Sequence, residues 1–270
     1  MSAREQMLTR IRGALGHAPA GSAPSILPSP ELGPVMPPVG ADLAAKFEAE
    51  LNQVGGGTYR VATVAELDQV LAKILDDSES YTSNDKTPGQ GVVLSRNPLL
   101  QQLGVAERLS GSSKAVTIWP WDGSRPQQSS SRPENPSQED EPTRQAFKEQ
   151  CFGALAGISG VDFALAESGT LVLSSLTEGS QLTSLAPPVH IALYRRQQLV
   201  ASLEEVLEKA SIARDRGFLG GGRSIVLITG TSRTADIEQI LIRGVHGPRQ
   251  VHAILVEDSC FIGSTLSQDV

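Results

Sequence analysis

The sequence predicts an α/β fold, a mostly parallel sheet flanked by helices. Three observations carry that reading. Segments of strand-like and helix-like periodicity alternate along the chain, the pattern of units joined by right-handed crossovers. Several strands are apolar at every position, as strands covered on both faces are. With 39% hydrophobic and 20% charged residues in 270, the chain has the composition of a globular protein and the length for one large domain or two small ones. Aromatic residues make up only 4%, so small aliphatics must fill the core.

Composition also narrows the function. A net charge of −7 argues against a nucleic-acid partner, which calls for a basic surface. Cys151 and Cys260 stand far apart and form no CxxC, which argues against a disulfide framework or a cysteine-held cluster. No apolar run reaches membrane-spanning length, and the first residues lack the apolar core of a signal peptide. The expectation is a cytoplasmic protein without a membrane span.

The elements follow in order. Residues 3–15 fit a short amphipathic helix, with Met7, Leu8, Ile11 and Leu15 on one face. Prolines from Pro19 to Pro38 make 18–40 an extended linker. A helix over 41–53 ends at Gly55-Gly56-Gly57, where no Lys-Ser/Thr pair follows to make a phosphate loop. Tyr59–Ala62 is a strand, Thr63 caps a helix through Leu75, and Asp76–Gln90 reads as polar loop. Strands at 91–95 and 115–119 flank a helix over 98–109 that breaks at Gly104. Residues 122–142 contain no aliphatic or aromatic side chain and read as a disordered insertion. A helix over Thr143–Ala156 ends at Gly157; Ser202 caps another to Arg214. A strand over 223–230, a turn at 231–234, a helix over Ala235–Arg243 and a strand over 251–256 complete the domain. The organisation is an arm and linker (1–40), an α/β domain (41–258) and a tail (259–270).

The stretch from Phe163 to His190 draws most attention. Apolar runs 163–166, 171–173 and 191–193 are separated by the polar turns Glu167-Ser168-Gly169-Thr170 and Thr177-Glu178-Gly179-Ser180-Gln181. A carboxylate between buried runs is costly unless it is satisfied or faces a cleft. Glu167 is therefore a candidate base, nucleophile or hydroxyl acceptor, or a carboxylate held by the N–H groups of its own turn. Gly169 lets the backbone approach a ligand. After the strand at 223–230, Ser232, Arg233, Thr234 and Asp236 stand at an expected helix start, where free N–H groups hold anions and where capping alone also explains them. His190 and His246 are candidates for proton transfer or ligand contact, and structural histidines otherwise. No GxSxG, GxGxxG, Walker or zinc spacing occurs.

Four segments together resemble the LutC/YkgG family, the LUD (lactate utilisation) domain: Ala166-Glu167-Ser168-Gly169-Thr170-Leu171-Val172-Leu173, Ser184-Leu185-Ala186-Pro187-Pro188-Val189-His190-Ile191, Thr234-Ala235-Asp236-Ile237-Glu238 and Gly244-Val245-His246-Gly247-Pro248. The resemblance covers roughly 41–257 apart from 122–142. It departs at Gln181, where the family usually has Arg, and at Thr231, where it usually has Pro. It implies a Rossmann-like fold similar to ribose-phosphate isomerase and CoA transferases. It also implies an accessory role in oxidising L-lactate to pyruvate beside iron–sulfur partner subunits, with no cofactor in this chain. On that reading the cleft lies at the sheet's carboxyl edge and holds a small carboxylate or phosphate, with Arg233 on the anion and Glu167 on a hydroxyl. An independent isomerase or CoA-transferase-like enzyme using Glu167, and a non-catalytic assembly factor, are the alternatives.

Overall fold

The computed structural model describes residues 3–16, 42–81, 91–111, 114–119, 140–214, 224–234, 242–244 and 246–261. They fall in two units, Met1–Val35 and Met36–Val270. The first holds helix α1 (Ala3–Gly16), one residue longer than its periodicity predicts. The linker, residues 120–139 of the insertion and 262–270 of the tail lie outside the described residues.

The second unit opens with α2 (Leu43–Gln53), which Asp42 caps by accepting the N–H groups of Ala44 and Ala45. Strand β1 (Gly57–Val61) leads to α3 (Val64–Tyr81). This helix runs through the first residues of the expected polar loop, and Ser78 folds back onto the Ile74 carbonyl. Next come β2 (Val92–Leu94), α4 (Pro98–Gln102), α5 (Val105–Ser110) and β3 (Val116–Ile118). Gly104, at φ 59°, breaks the two helices where expected.

Helix α6 (Asp140–Gly153) starts inside the region expected to be disordered and stops short of Ala156. Ala156–Ser159 is instead a strand, β4, buried at all four positions. Its small residues carry little strand propensity, and tertiary packing decides. The carbonyl of Thr183 and the ring of Pro187 press on Gly157, leaving no room for a side chain.

Six strands make one all-parallel sheet in the order β1-β12-β7-β4-β2-β3, with β7 (Val189–Arg195) and β12 (Gln250–Val256) near its centre. Helices α3, α4 and α5 cover one face through Leu71, Ile74, Leu100 and Leu109. On the other, Phe47 of α2 meets Tyr194 edge-on at 5.2 Å. Along β7 the sides alternate: Ile191 and Leu193 join the first layer, Ala192 and Tyr194 the second.

The remaining strands depart from expectation. β5 (Phe163–Leu165) and β6 (Thr170–Ser174) form an antiparallel hairpin in a separate four-stranded sheet, ordered β8-β5-β6-β9. Here β8 is Leu199–Val200 and β9 is Ile225–Ile228, antiparallel to β6. Ile225 and Leu227 are 47% and 52% exposed, so an apolar run there does not signal cover on both faces. Short helices α7 (Ser175–Glu178) and α8 (Leu182–Leu185) return the chain to β7, and α9 (Leu203–Arg214) follows β8. Finally, β10 (Arg233–Thr234) pairs antiparallel with β11 (Ile242–Arg243). The helix expected over 235–243 is thus replaced by extended chain at its end; residues 235–241 lie outside the described residues.

Candidate functional site

The two expected half-sites come from different strands, and Gly169 and Arg233 both lie against α2. Thr170 of β6 reaches Thr229, just after β9, at 2.7 Å, and Ser168 reaches Thr170 at 2.8 Å. Gly169, at φ 63°, backs onto α2, where a Cβ would fall 2.7 Å from Leu51 Cα. Arg233 donates to the carbonyl of Val54, a cation at the negative end of α2. Glu167 sits at the opposite kind of end: its Oε1 accepts the N–H of Leu203, the first of α9, at 2.8 Å. The two charged candidates therefore each satisfy a helix terminus, of two different helices.

The backbone of Ser232 bonds to Pro248 and Gly244, and its side chain packs by Gly247. His246 is exposed beside it. Thr234 continues β10; its side chain, like Asp236, lies outside the described residues. His190 is fully buried in β7.

A cleft of about 820 Å³ opens at the amino edge of β1, β12 and β7, opposite to the edge expected. Gly55–Gly57 and Pro188 floor it, and Tyr59, Asp77, Arg249, Gln250 and His252 supply its polar groups. The His252 Nε2 faces Gln250 Oε1 at 3.1 Å, and its Nδ1 lies 3.5 Å from the Tyr59 hydroxyl. Burial pushes His252 down to about 4, against the pull of Asp77. Burial and Asp77 both raise the Tyr59 phenol. At neutral pH the wall thus carries a neutral imidazole and a neutral phenol, beside the exposed cation Arg249.

At the carboxyl edge the described residues include a buried polar cluster. From β2 the chain passes to β3 on one side, and from β4, through the small sheet, to β7 on the other. At this reversal, where open α/β folds place ligands, lies the carboxylate of Glu178. It accepts from the Asn97 side chain and, at 3.1 Å, from the Gly160 N–H. Burial pushes Glu178 up to about 7; Asp162 adds to the rise, and bonds from Ser95, Asn97 and Gly160 oppose it. Asp162, which accepts from Ser174 N–H and Thr177 Oγ1, is pushed up to about 6 by burial. Next to Gly160, the Ser159 hydroxyl lies 2.8 Å from His190 Nε2. Burial, with His252 nearby, pushes His190 down to about 3.

Sequence reasoning missed Glu178, Asp162, Arg249, Tyr59 and His252 as site residues. The polar turn around Glu178 was visible, but its burial depends on Asn97 and Gly160 from distant segments. Among the described residues no three His, Cys, Asp or Glu side chains gather as a metal site, and no helix is long and apolar enough to cross a membrane.

The LUD domain family matches residues 44–256. The YkgG protein of Escherichia coli (strain K12) is 33% identical over 172 residues, 63% of this chain and 64% of that protein. Lactate utilization protein C of Bacillus subtilis (strain 168) is 28% identical over 174 residues, again 63% and 64%. That of Exiguobacterium sp. is 37% identical over 114 residues, 42% of this chain and 49% of its own. The chain thus spans between about half and just under two thirds of these relatives. A DUF162 family protein from Deinococcus radiodurans, known from its crystal structure, has a TM-score of 0.49 at 21% identity, covering 79% of this chain and 96% of that one.

Proposed function

The chain belongs to the LUD domain family, and from that premise we propose that it serves lactate utilisation as the component that binds an organic anion. Relatives named lactate utilization protein C support the process. The amino-edge cleft supports the binding. Its guanidinium, Arg249, suits a carboxylate, and its neutral imidazole and phenol suit the hydroxyl or ketone oxygen beside that carboxylate. The Arg249 guanidinium beside a neutral imidazole and phenol, with the Asp77 carboxylate in the same lining, is the observation that carries the proposal. Because about 820 Å³ exceeds the needs of a three-carbon acid, a larger anionic cofactor belongs to the same ligand class.

Oxidation of L-lactate to pyruvate releases two electrons and two protons, which need an acceptor. In this proposal iron–sulfur partner subunits supply it, and this chain supplies binding. The Glu167 carboxylate is engaged at the start of α9, so the geometry favours binding over a nucleophilic role for that residue.

The test is a thermal-shift titration with L-lactate, pyruvate, sugar phosphates, NAD and CoA. A ligand that binds only the folded chain raises its apparent stability. The expected result is a rise with at least one anion that Arg249→Ala removes and His252→Gln weakens. No rise with any of them, or a rise indifferent to both substitutions, would sink the proposal.

A further inference from the structure

Hydrogen placement at Ser159 determines what lies beyond His190. The Ser159 hydroxyl has one hydrogen, and it donates to the Gly160 carbonyl at 2.9 Å. The same oxygen lies 2.8 Å from His190 Nε2. With the hydroxyl hydrogen placed on the Gly160 carbonyl, His190 Nε2 carries a hydrogen and donates to Ser159, the tautomer on which the inference rests. The imidazole is fully buried and neutral, so Nδ1 is left as a bare lone pair. Among the described residues nothing donates to it. Folded proteins pair such atoms with protein, water or ligand.

The surroundings define the guest. His190 stands in register with Gly157 on β4 and Val251 on β12. The space above Gly157 is taken by the Thr183 carbonyl and Pro187, so α8 lies directly over the Gly157–His190 pair. On that same segment Thr183 Oγ1 and Gln181 Nε2 are also buried without a partner. Gln181 Nε2 only donates, Thr183 Oγ1 does both, and His190 Nδ1 in this tautomer only accepts. An anion would face the imidazole lone pair with another lone pair. A hydroxyl offers the hydrogen that the imidazole lone pair calls for.

We propose that the seat between His190 and α8 binds a small hydroxyl donor, water or the hydroxyl of a small hydroxy acid, with His190 Nδ1 accepting its hydrogen. This seat is distinct from the cleft. Its imidazole lies on the opposite face of β7 from Ile191 and Leu193, the face that α3 covers, whereas the cleft is lined by Ile74 and Ser78 of α3.

Imidazole-nitrogen NMR on the intact, 15N-labelled chain tests this. The expected spectrum shows a neutral His190 with its hydrogen on Nε2 and an Nδ1 shift displaced in the direction of an accepted hydrogen bond. Thr183→Val should reduce that displacement while the amide spectrum stays folded. If added L-lactate leaves the Nδ1 shift unchanged, the guest is water; if it moves the shift, a hydroxy acid reaches the seat. An Nδ1–H tautomer, or an Nδ1 shift of a free acceptor both with and without L-lactate, would overturn the proposal.

Discussion

Ser159 and His190 meet at 2.8 Å across neighbouring parallel strands, and the same hydroxyl oxygen lies 2.9 Å from the Gly160 carbonyl. The pair is therefore a clamp between β4 and β7. Ser159→Ala should cost about 1–3 kcal/mol, since it leaves a buried imidazole nitrogen without its partner, and urea denaturation would measure it. An unchanged midpoint would contradict the clamp.

Glu178 and Asp162 make stability depend on pH in a defined direction. Both folded values are raised, to about 7 and about 6 from 4.5 and 3.8. The folded state thus holds these protons more tightly than the unfolded chain. The stability they contribute is complete below the ordinary carboxyl values and is lost as pH rises to about 6 for Asp162 and about 7 for Glu178. His190 and His252 act oppositely, with stability present above their ordinary 6.5 and lost on acidification. The stability of the natural chain relative to Glu178→Gln should therefore fall between pH 4.5 and pH 7. A flat difference across denaturation curves in that window would show that Glu178 does not hold its proton in this way.

Gly169 and Gly153 give a contrasting pair. At Gly169 the left-handed φ and the backbone of α2 both oppose a side chain. Gly169→Ala should destabilise by about 2–4 kcal/mol. At Gly153, the last residue of α6, nothing lies within 4 Å of an added Cβ. Gly153→Ala there should be neutral or stabilising by up to about 1 kcal/mol. Thermal denaturation of the two variants side by side decides the matter.

Glu167→Ala removes a side-chain acceptor from the first turn of α9. The expected loss is about 0.5–2 kcal/mol, with the anion-dependent rise in stability at the cleft unchanged. If the stability is untouched but ligand response disappears, Glu167 belongs to the binding site after all.

Local pattern carried much of the architecture. Strands β1, β2, β3, β7 and β12 and helices α2, α3 and α9 were legible from periodicity, caps and glycine stops. The strand β4 was not, because Ala156-Gly157-Ile158-Ser159 owes its extended form to neighbours on both sides and to Thr183 above. Nor does an apolar run say which sheet it joins: Leu171–Leu173 pairs with β9, a partner more than fifty residues away in the chain. For the site, the polar turns of the central stretch were legible, but not that Glu178 rather than Glu167 is the buried acid. The identity of the cleft was hidden, since Tyr59, Asp77 and Arg249 reach it from three separate segments. Arg233 and Glu167 looked functional because helix ends and anion sites ask for the same side chains.

The position of β12 bears on how the protein is made. This strand lies between β1 and β7 and is hydrogen-bonded to both. Among the described residues of the large sheet β1 has no other neighbour. A nascent chain therefore emerges from the ribosome with its first strand unpaired until Gln250–Val256 has been synthesised. At roughly 5–20 residues per second, that interval is on the order of ten seconds or more. Throughout it the edge of β1, and in its last part that of β7 as well, is open to pairing with other nascent chains, so the yield of soluble protein should depend on chaperone capacity more steeply than the stability of the finished fold would suggest.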